Sequence, residues 1–306
     1  MIKRILVIAT SILMLFSISV AQESSVYLMG SGGSFSPLLP AKGFAGKSIT
    51  GWYWAGKYAD ANGDKTDVTN NIYGFYQQFM VHYVTGLEVL GAKYTVGAML
   101  PFATAEKNQS GSIQIRERLF MADPYISPIG LSWQKPNYQI FAEYRLYLPW
   151  GQYDPDELQN VGKGHYSHII SLSTTYFLDQ FKKWSFTLLP RYEFHGERKE
   201  SNIKAGSYFN LEWAFTNSEH RKLDFGLVGY SSFQLTQDTG SGVPPGTAEV
   251  LDRVVAIGAE CGILASKINT RFALRSNFEV YGVDRPIGTM LTLDIYYVPG
   301  GILFDE

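Results

Sequence analysis

Several stretches of the chain alternate apolar and polar residues over ten or more positions. In 184–195, WSFTLLPRYEFH, the even positions carry Trp, Phe, Leu, Pro and Tyr, while the odd positions are mostly polar. The stretches 223–236, 270–281 and 287–298 share this period of two, which indicates strands with one apolar face. Strands of soluble proteins usually have about 5–6 residues, whereas a tilted membrane strand needs about 9–11. Length and alternation together favour a transmembrane β-barrel over a secreted β-sandwich.

Twelve strands can be placed from Ser48 onward, and the connectors between them alternate in length. Bacterial outer-membrane barrels have an even strand number, short periplasmic turns and longer outer loops. The sequence therefore predicts an all-β, antiparallel, up-and-down transmembrane β-barrel of about 12 strands with periplasmic N- and C-termini. Short connectors are expected at 135–137, 179–183, 217–222 and 266–269, and long ones at 57–71, 103–122, 150–165, 196–204 and 237–251. The predicted strands are 48–57, 72–84, 92–102, 123–134, 138–149, 166–178, 184–195, 205–216, 223–236, 252–265, 270–281 and 287–298.

The N-terminal region lacks this alternation. A basic start at Lys3 and Arg4, an uncharged apolar run and the small residues before position 22 predict a signal peptide over 1–21. Residues 22–47 are rich in Gly, Pro and Ser, and we expect either a flexible periplasmic lead or a plug of the lumen. Residues 48–306 form the predicted barrel, which places the protein in the outer membrane of a Gram-negative cell. Its expected partners are outer-membrane lipid and the barrel-assembly machinery.

Composition supports an exported barrel and excludes several other classes. The chain has 20 Tyr, 19 Phe and 30 Gly, with 45% hydrophobic residues, and no apolar run after the signal peptide could form a membrane helix. Loss of residues 1–21 changes the formal net charge from −2 to −4, so a nucleic-acid partner is not expected. The single cysteine, Cys261, excludes an intrachain disulfide and a cysteine metal site.

Charged residues of both signs fall on the inward face of the predicted strands. A pore selective for one sign of ion would more often show a ring of one charge. We therefore expect these residues to pair with one another and brace a narrow lumen, the alternative being a constriction with a few polar contacts for a solute. They are Glu143, Arg145, Arg191, Glu193, Glu212, Glu260, Arg271, Arg275, Glu279 and Asp294.

The stretch 148–168, LPWGQYDPDELQNVGKGHYSH, contains candidate binding residues. Trp150, Tyr153 and Tyr166 offer flat apolar surfaces with polar edges where a solute would leave water, so we expect them to bind ligand. The alternative is a loop that only covers the barrel rim. Ser167 and His168 are adjacent and would point to opposite faces of a strand, and no Gly-x-Ser-x-Gly is present, so no catalytic residue is predicted.

Two other groups of polar residues were weighed as metal sites. The spacing of His165 and His168 suits a helix better than a strand. Asp60, Asn62 and Asp64 in DANGDKTD have the spacing of a calcium loop, but Gly63 stands at the fourth position rather than the sixth. A polar outer loop is the preferred interpretation, and no metal or cofactor is predicted.

The end of the strand before this stretch carries a recognisable motif. Here a Pro-x-Gly-x-Tyr-Asp turn is followed by a Leu-x-Asn-x-Gly loop, formed by Pro149, Gly151, Tyr153, Asp154, Leu158, Asn160 and Gly162. The arrangement resembles the outer-membrane proteins named for the meta-pathway of phenol degradation, which are similar to the fatty-acid-channel superfamily of barrels. The resemblance implies a channel for passive uptake of small hydrophobic or aromatic compounds, with no covalent chemistry. The alternatives are a barrel hydrolase acting on lipid, and a structural or surface-interaction barrel with a closed lumen.

Overall fold

The computed structural model describes residues 25–299, except positions 37, 105, 110–111, 116–118, 156–159, 199, 219–221 and 244–248. The predicted signal peptide, 1–21, lies outside the described residues. Within the described part of the chain, the helical structure is one short turn at Ser266–Ile268, and no helix is long and apolar enough to span a membrane.

Long β-strands make up most of the described chain. Their lengths range from 10 to 25 residues, as expected for strands that cross a membrane at a tilt. The strands of the barrel are β1 (Gly43–Ala59), β2 (Lys65–Val89), β3 (Ala92–Ala103), β4 (Tyr125–Lys135), β5 (Tyr138–Tyr147), β6 (Ser167–Phe177), β7 (Trp184–His195), β8 (Tyr208–Asn217), β9 (Leu223–Gln234), β10 (Arg253–Ala265), β11 (Thr270–Val283) and β12 (Arg285–Tyr297).

Every strand of this sheet pairs antiparallel with its neighbours in the chain, and the last strand pairs with the first. Gly46 lies opposite Tyr297 and Ala59 opposite Arg285, so β1 and β12 are joined along nearly their whole length. Closure leaves no unpaired edge, which a barrel in lipid requires. The predicted all-β antiparallel barrel of twelve strands is confirmed, while the periplasmic position of its termini stays a prediction.

The first connector differs from the prediction. The loop expected over 57–71 is only the turn Asp60–Asp64, because β1 continues to Ala59 and β2 begins at Lys65. Asp60 Oδ1 accepts the backbone N–H groups of Asn62 and Asp64 at 2.8 and 2.9 Å, which closes a tight turn. The strands here extend beyond the stretch in which apolar and polar residues alternate, so the alternation underestimates their length.

The outward face of the barrel is apolar and the inward face is polar. In β7, Ser185, Thr187 and Arg191 are buried, whereas Trp184 and Phe186 are exposed. The same alternation continues along β9, where Leu227 is 61% exposed and its neighbour Val228 is buried. An apolar outer surface around a polar interior is the arrangement expected of a barrel whose wall contacts lipid.

We expect a charge on this outer face to destabilise the barrel. Arginine near the bilayer midplane costs about 2–4 kcal/mol, and less near the interfaces. Leu227→Arg should therefore lower the free energy of unfolding measured by denaturant titration in lipid vesicles, while Leu227→Phe should change it little. Equal stability of the two variants would show that this side of β9 does not contact lipid.

The N-terminal segment, defined here as residues 25–42, lies inside the barrel. Tyr27 and Met29 belong to a buried cluster with Tyr125, Ile169 and Val254, which come from three separate strands of the wall. Because these wall residues belong to well-separated strands, only a position within the lumen allows one segment to contact them all. The segment forms turns rather than a strand, so side-chain contacts, and not sheet pairing, hold it there.

Candidate functional site in the barrel lumen

The inward charged residues predicted from the alternation are buried, and they form groups within the lumen. The residues are Glu143, Arg145, Arg191, Glu193, Glu212, Glu260, Arg271, Arg275, Glu279 and Asp294. A buried charge is strongly unfavourable unless other groups pair with it and satisfy its hydrogen bonds. The partners of each residue therefore indicate what it does in this barrel.

The largest ion-pair group lies on β9–β12. Arg271 donates to the two oxygens of Asp224 at 2.9 and 2.5 Å and to Glu260 at 2.8 Å. Arg275 donates its Nε to Glu260 at 2.6 Å and places Nη2 3.4 Å from Asp294. Two arginines thus share one carboxylate and each reaches a second one, which ties four neighbouring strands together from the inside.

A second group lies on the opposite wall. Arg145 donates its Nε to Glu143 at 2.7 Å, and His82 Nε2 lies 3.0 Å from the other oxygen of that carboxylate. On the wall of the first group, Glu279 of β11 accepts a hydrogen bond from the hydroxyl of Tyr53 at 2.8 Å. The carboxylates on both sides of the lumen therefore have donors within hydrogen-bond distance.

Several inward charges bind the N-terminal segment rather than one another. Glu193 accepts hydrogen bonds from Ser25 Oγ and from the backbone N–H of Val26, both at 2.6 Å. Glu212 accepts from the hydroxyl of Tyr27 at 2.6 Å, whereas its distance to the Nη1 of Arg191 is 3.8 Å. Mutual pairing, as expected from the sequence, therefore describes only part of the set.

The middle of the segment is held through its backbone. Glu212 also accepts the N–H of Gly32 at 2.8 Å, and Arg275 donates its Nη1 to the carbonyl oxygen of Gly30 at 2.6 Å. Further along, the hydroxyl of Tyr296 donates to the carbonyl oxygen of Leu38. Backbone contacts of this kind leave no signal in the residue pattern, which explains why sequence analysis could not locate the segment.

Little space remains between the segment and the wall. A cavity of about 50 Å³ is lined by Tyr27, Met80, Tyr125, Arg145 and Tyr147. A cavity of about 150 Å³ is known to admit benzene, so this one has room for water but not for an aromatic ring.

One buried carboxylate joins the two ends of the polar loop 148–166 at the rim. Asp123 accepts the backbone N–H of Gly151 at 2.9 Å and that of Lys163 at 2.7 Å, so it joins the two ends of the loop. Within the loop, the N–H of Asp154 donates to Asn160 Oδ1 at 2.8 Å. Burial raises the pKa of Asp123 above its ordinary value, which these two N–H groups oppose.

The candidate binding residues of this loop occupy different environments. Trp150 is 64% exposed, and Tyr153 lies beneath the guanidinium of Arg198, whose Cζ is 4.9 Å from the ring centroid. Tyr166 is exposed on the side of the chain opposite to Ser167, whose side chain points into the lumen. The structure thus places Tyr166 on the outer side of the rim, apart from the lumen-facing residues.

Ser167 contacts a histidine that sequence analysis did not consider. Its Oγ lies 2.8 Å from Nδ1 of His195 and 3.3 Å from Nδ1 of His165, and His195 Nε2 lies 3.2 Å from Glu193. His168 instead points outward and stacks on the ring of Phe194 at 4.7 Å. Burial lowers the pKa of His165 to about 4, so this imidazole is neutral at pH 7.

The described residues contain no cluster of three or more His, Cys, Asp or Glu that could hold a metal ion. The carboxylate of Asp60, in the stretch weighed as a calcium loop, instead accepts the backbone N–H groups that close the β1–β2 turn. His165 and His168 lie on opposite faces and cannot act as a pair.

Comparison with solved structures finds one outer-membrane barrel that shares the fold and others with weaker similarity. The COG4313 outer membrane channel from Pseudomonas putida F1 superposes with a TM-score of 0.72 over 89% of this chain and 99% of its own, at 11% identity. A FadL homologue from Pseudomonas aeruginosa gives a TM-score of 0.42 over 86% of this chain and 92% of its own, at 7% identity. No curated protein matches in sequence.

The sequence itself matches one family model, over residues 55–295. The match covers ten of the twelve barrel strands in full and parts of β1 and β12, and it includes the motif between β5 and β6 that carries the resemblance noted above. It extends over far more than half of the chain. The protein therefore belongs to the family described as "Putative MetA-pathway of phenol degradation".

Proposed function

We propose that this protein is an outer-membrane channel for passive uptake of small hydrophobic or aromatic compounds, and that it performs no covalent chemistry. The observation that carries the proposal is a closed barrel with a polar lumen that is filled by a segment of the same chain without strand pairing. A segment that the wall side chains hold by hydrogen bonds and packing, without strand pairing, can leave without breaking the barrel. The similar protein from Pseudomonas putida F1 is an outer membrane channel, which is consistent with this function.

In this proposal the N-terminal segment is a plug. Its displacement would remove the bulk of Tyr27, Met29 and Phe35 from the lumen and expose wall residues such as Tyr125 and Tyr147. Tyrosine rings combine apolar faces with a polar edge, so they suit a solute that is aromatic and sparingly soluble. The direct test is uptake into liposomes of an aromatic solute and of a sugar of similar size, with the intact protein and with residues 25–42 deleted. Equal rates for both solutes in both proteins would reject the proposal.

The loop 148–166 captures solutes at the outer mouth in the same proposal. Asp123→Ala removes the acceptor of two backbone hydrogen bonds, each worth about 1.5–3 kcal/mol with a charged acceptor, and loosens the connection between the loop ends. We expect altered uptake of aromatic solutes by a barrel that still folds. Asp179→Ala is the matched control, because Asp179 accepts three backbone N–H groups in the β6–β7 turn at the other end. Equal uptake by the two variants would leave the loop as a cover of the rim.

The proposed orientation places the β1–β2 turn outside the cell and the β8–β9 connector in the periplasm. We expect Asn62→Cys, made in a Cys261→Ser background, to react on intact cells with a maleimide coupled to a large polyethylene glycol. Lys222→Cys in the same background should react only after the cells are opened. The reverse pattern would show that the termini lie outside the cell.

A barrel hydrolase is the second candidate, because His195 lies between Ser167 and Glu193, as the histidine of a catalytic triad lies between its serine and its carboxylate. Two observations speak for a structural role instead. Ser167 is fully buried, and Glu193 already accepts two hydrogen bonds from the N-terminal segment. A fluorophosphonate probe should leave the protein unlabelled, both intact and with residues 25–42 deleted. Labelling that Ser167→Ala abolishes would favour the hydrolase.

A further inference from the structure

The outward face of β7–β12 contains a depression of about 630 Å³. Its centre carries three small side chains, those of Ala259 and Cys261 on β10 and of Ser276 on β11. Larger side chains form its edges, whereas most of the outer wall carries large apolar residues throughout. The edge residues are Trp184, Phe215, Phe225, Leu227, Leu274 and Leu291.

The sheet register explains the shape. One row across the strands runs from Leu227 through Ala259 and Ser276 to Leu291, so two small residues lie between two large ones. In the next row, Cys261 lies between Phe225 and Leu274. Small residues on a lipid-facing surface let an apolar chain approach the backbone closely. The depression is therefore a slot on the barrel wall, with an apolar floor and high edges.

Exposed lysines flank one end of this slot. Lys222 immediately precedes β9, and Lys267 lies in the turn between β10 and β11. Cys261 is four residues before the end of β10 at Ala265, which corresponds to about 14 Å along the strand and about 10 Å along the normal of a membrane crossed at ~45°, and Lys267 lies in the turn just beyond. Half the hydrocarbon core of a bilayer is about 15 Å thick. The spacing therefore fits a lipid whose phosphate is near the lysines and whose chain reaches the slot.

We propose that this slot binds an acyl chain of an anionic phospholipid of the periplasmic leaflet, with Lys222 and Lys267 at the lipid phosphate. The assignment rests on the proposed orientation, which places both lysines in the periplasm. Lysines near a membrane surface attract anionic headgroups, and the apolar floor matches the chain. The wall of a second copy of the barrel would leave the slot unfilled, because the high edges of the slot would keep that wall away from the three small residues.

The single cysteine allows a direct test, because Cys261 is exposed on the floor of the slot. The full-length protein is labelled at Cys261 with bimane and placed in nanodiscs of phosphatidylethanolamine. One set of nanodiscs also contains phosphatidylglycerol with brominated chains, and the other contains phosphatidylethanolamine with brominated chains. Bromine quenches the label on contact. We expect half-maximal quenching at a content of brominated phosphatidylglycerol about tenfold lower than that of brominated phosphatidylethanolamine. This ratio equals a difference in binding free energy of roughly 1.4 kcal/mol.

Two variants separate the slot and the lysines from general lipid contact. The double variant Lys222→Gln and Lys267→Gln should lose the preference for phosphatidylglycerol, while both brominated lipids still quench the label at Cys261. A label at Leu172→Cys in the Cys261→Ser background, on the exposed outer face of β6, should be quenched equally by both lipids. Heat-dependent migration in gels confirms that each variant is folded.

Equal quenching of the Cys261 label by the two lipids would overturn the proposal. If neither brominated lipid quenches the label at Cys261 and native mass spectrometry shows a larger complex, the proposal would be overturned in favour of a second copy of the chain. Conductance of the same variants with residues 25–42 also deleted tests the channel independently. Loss of lipid preference with intact conductance would reject the lipid site alone, and preference without conductance would reject the channel alone.

Discussion

Gly33→Ala should open the lumen of the barrel. Gly33 has a φ of +112°, and a Cβ built there would lie 1.9 Å from Nη2 of Arg275. The backbone strain of a non-glycine residue and the overpacking together cost about 2–6 kcal/mol. Because the N-terminal segment has no strand pairing, its withdrawal relieves this cost without disrupting the barrel. We expect planar-bilayer recordings of the variant to show a marked rise in conductance over the unmodified protein.

Gly46→Ala is the matched control for this substitution. A Cβ at Gly46, in β1, would have no atom within 4 Å, and its conductance should equal that of the unmodified protein. Deletion of residues 25–42 should reproduce the open state. If the deletion raises conductance but Gly33→Ala does not, the segment tolerates the added methyl group, and its fit around Arg275 is looser than the structure indicates.

Arg275→Ala should cause the largest loss of stability. The side chain is 1% exposed and donates to Glu260 and to the carbonyl oxygen of Gly30, both at 2.6 Å. Removing one partner of a buried ion pair typically costs about 3–5 kcal/mol, because the remaining charge stays buried. Denaturant unfolding in detergent micelles, followed by tryptophan fluorescence, measures this loss.

A second substitution tests the reason for that loss. Adding Glu260→Gln to Arg275→Ala removes the excess negative charge that the loss of Arg275 leaves in this group, and Arg271 keeps its bonds to Asp224. The double variant should therefore be more stable than Arg275→Ala alone. Unchanged unfolding of Arg275→Ala, combined with higher conductance, would mean that Arg275 retains the N-terminal segment and does not brace the wall.

The sequence was sufficient to predict the barrel because lipid and lumen impose opposite polarity on alternate residues. The predicted strand 184–195 coincides with β7, and most of the other strands agree within a few residues at each end. The prediction of a long connector over 57–71 was wrong, because this opposition of polarity ends before β1 and β2 do. Where β1 and β2 extend past the apolar stretch, neither face is required to be apolar, so residues such as Lys65 and Asp67 gave no sign of a strand.

The candidate site was less accessible to sequence analysis. The N-terminal segment binds Glu193 and Glu212 partly through backbone N–H groups, which any residue provides. The contact between Ser167 and His195 was within reach, because the predicted turn at 179–183 sets a register in which these two residues lie opposite each other. Pairing the predicted strands, in addition to assigning their faces, would have revealed it.

The position of the N-terminal segment also bears on the order of assembly. Val26, Gly32 and Gly30 bind residues that follow them by 167, 180 and 245 positions in the chain. These residues are synthesised first, yet their partners exist only once β7, β8 and β11 are in place. Contacts of such long sequence separation form late, since the intervening chain must be ordered before they are gained. The lumen is therefore filled at or after barrel closure, so every molecule passes through a stage at which its wall is largely formed and its interior is still open to water.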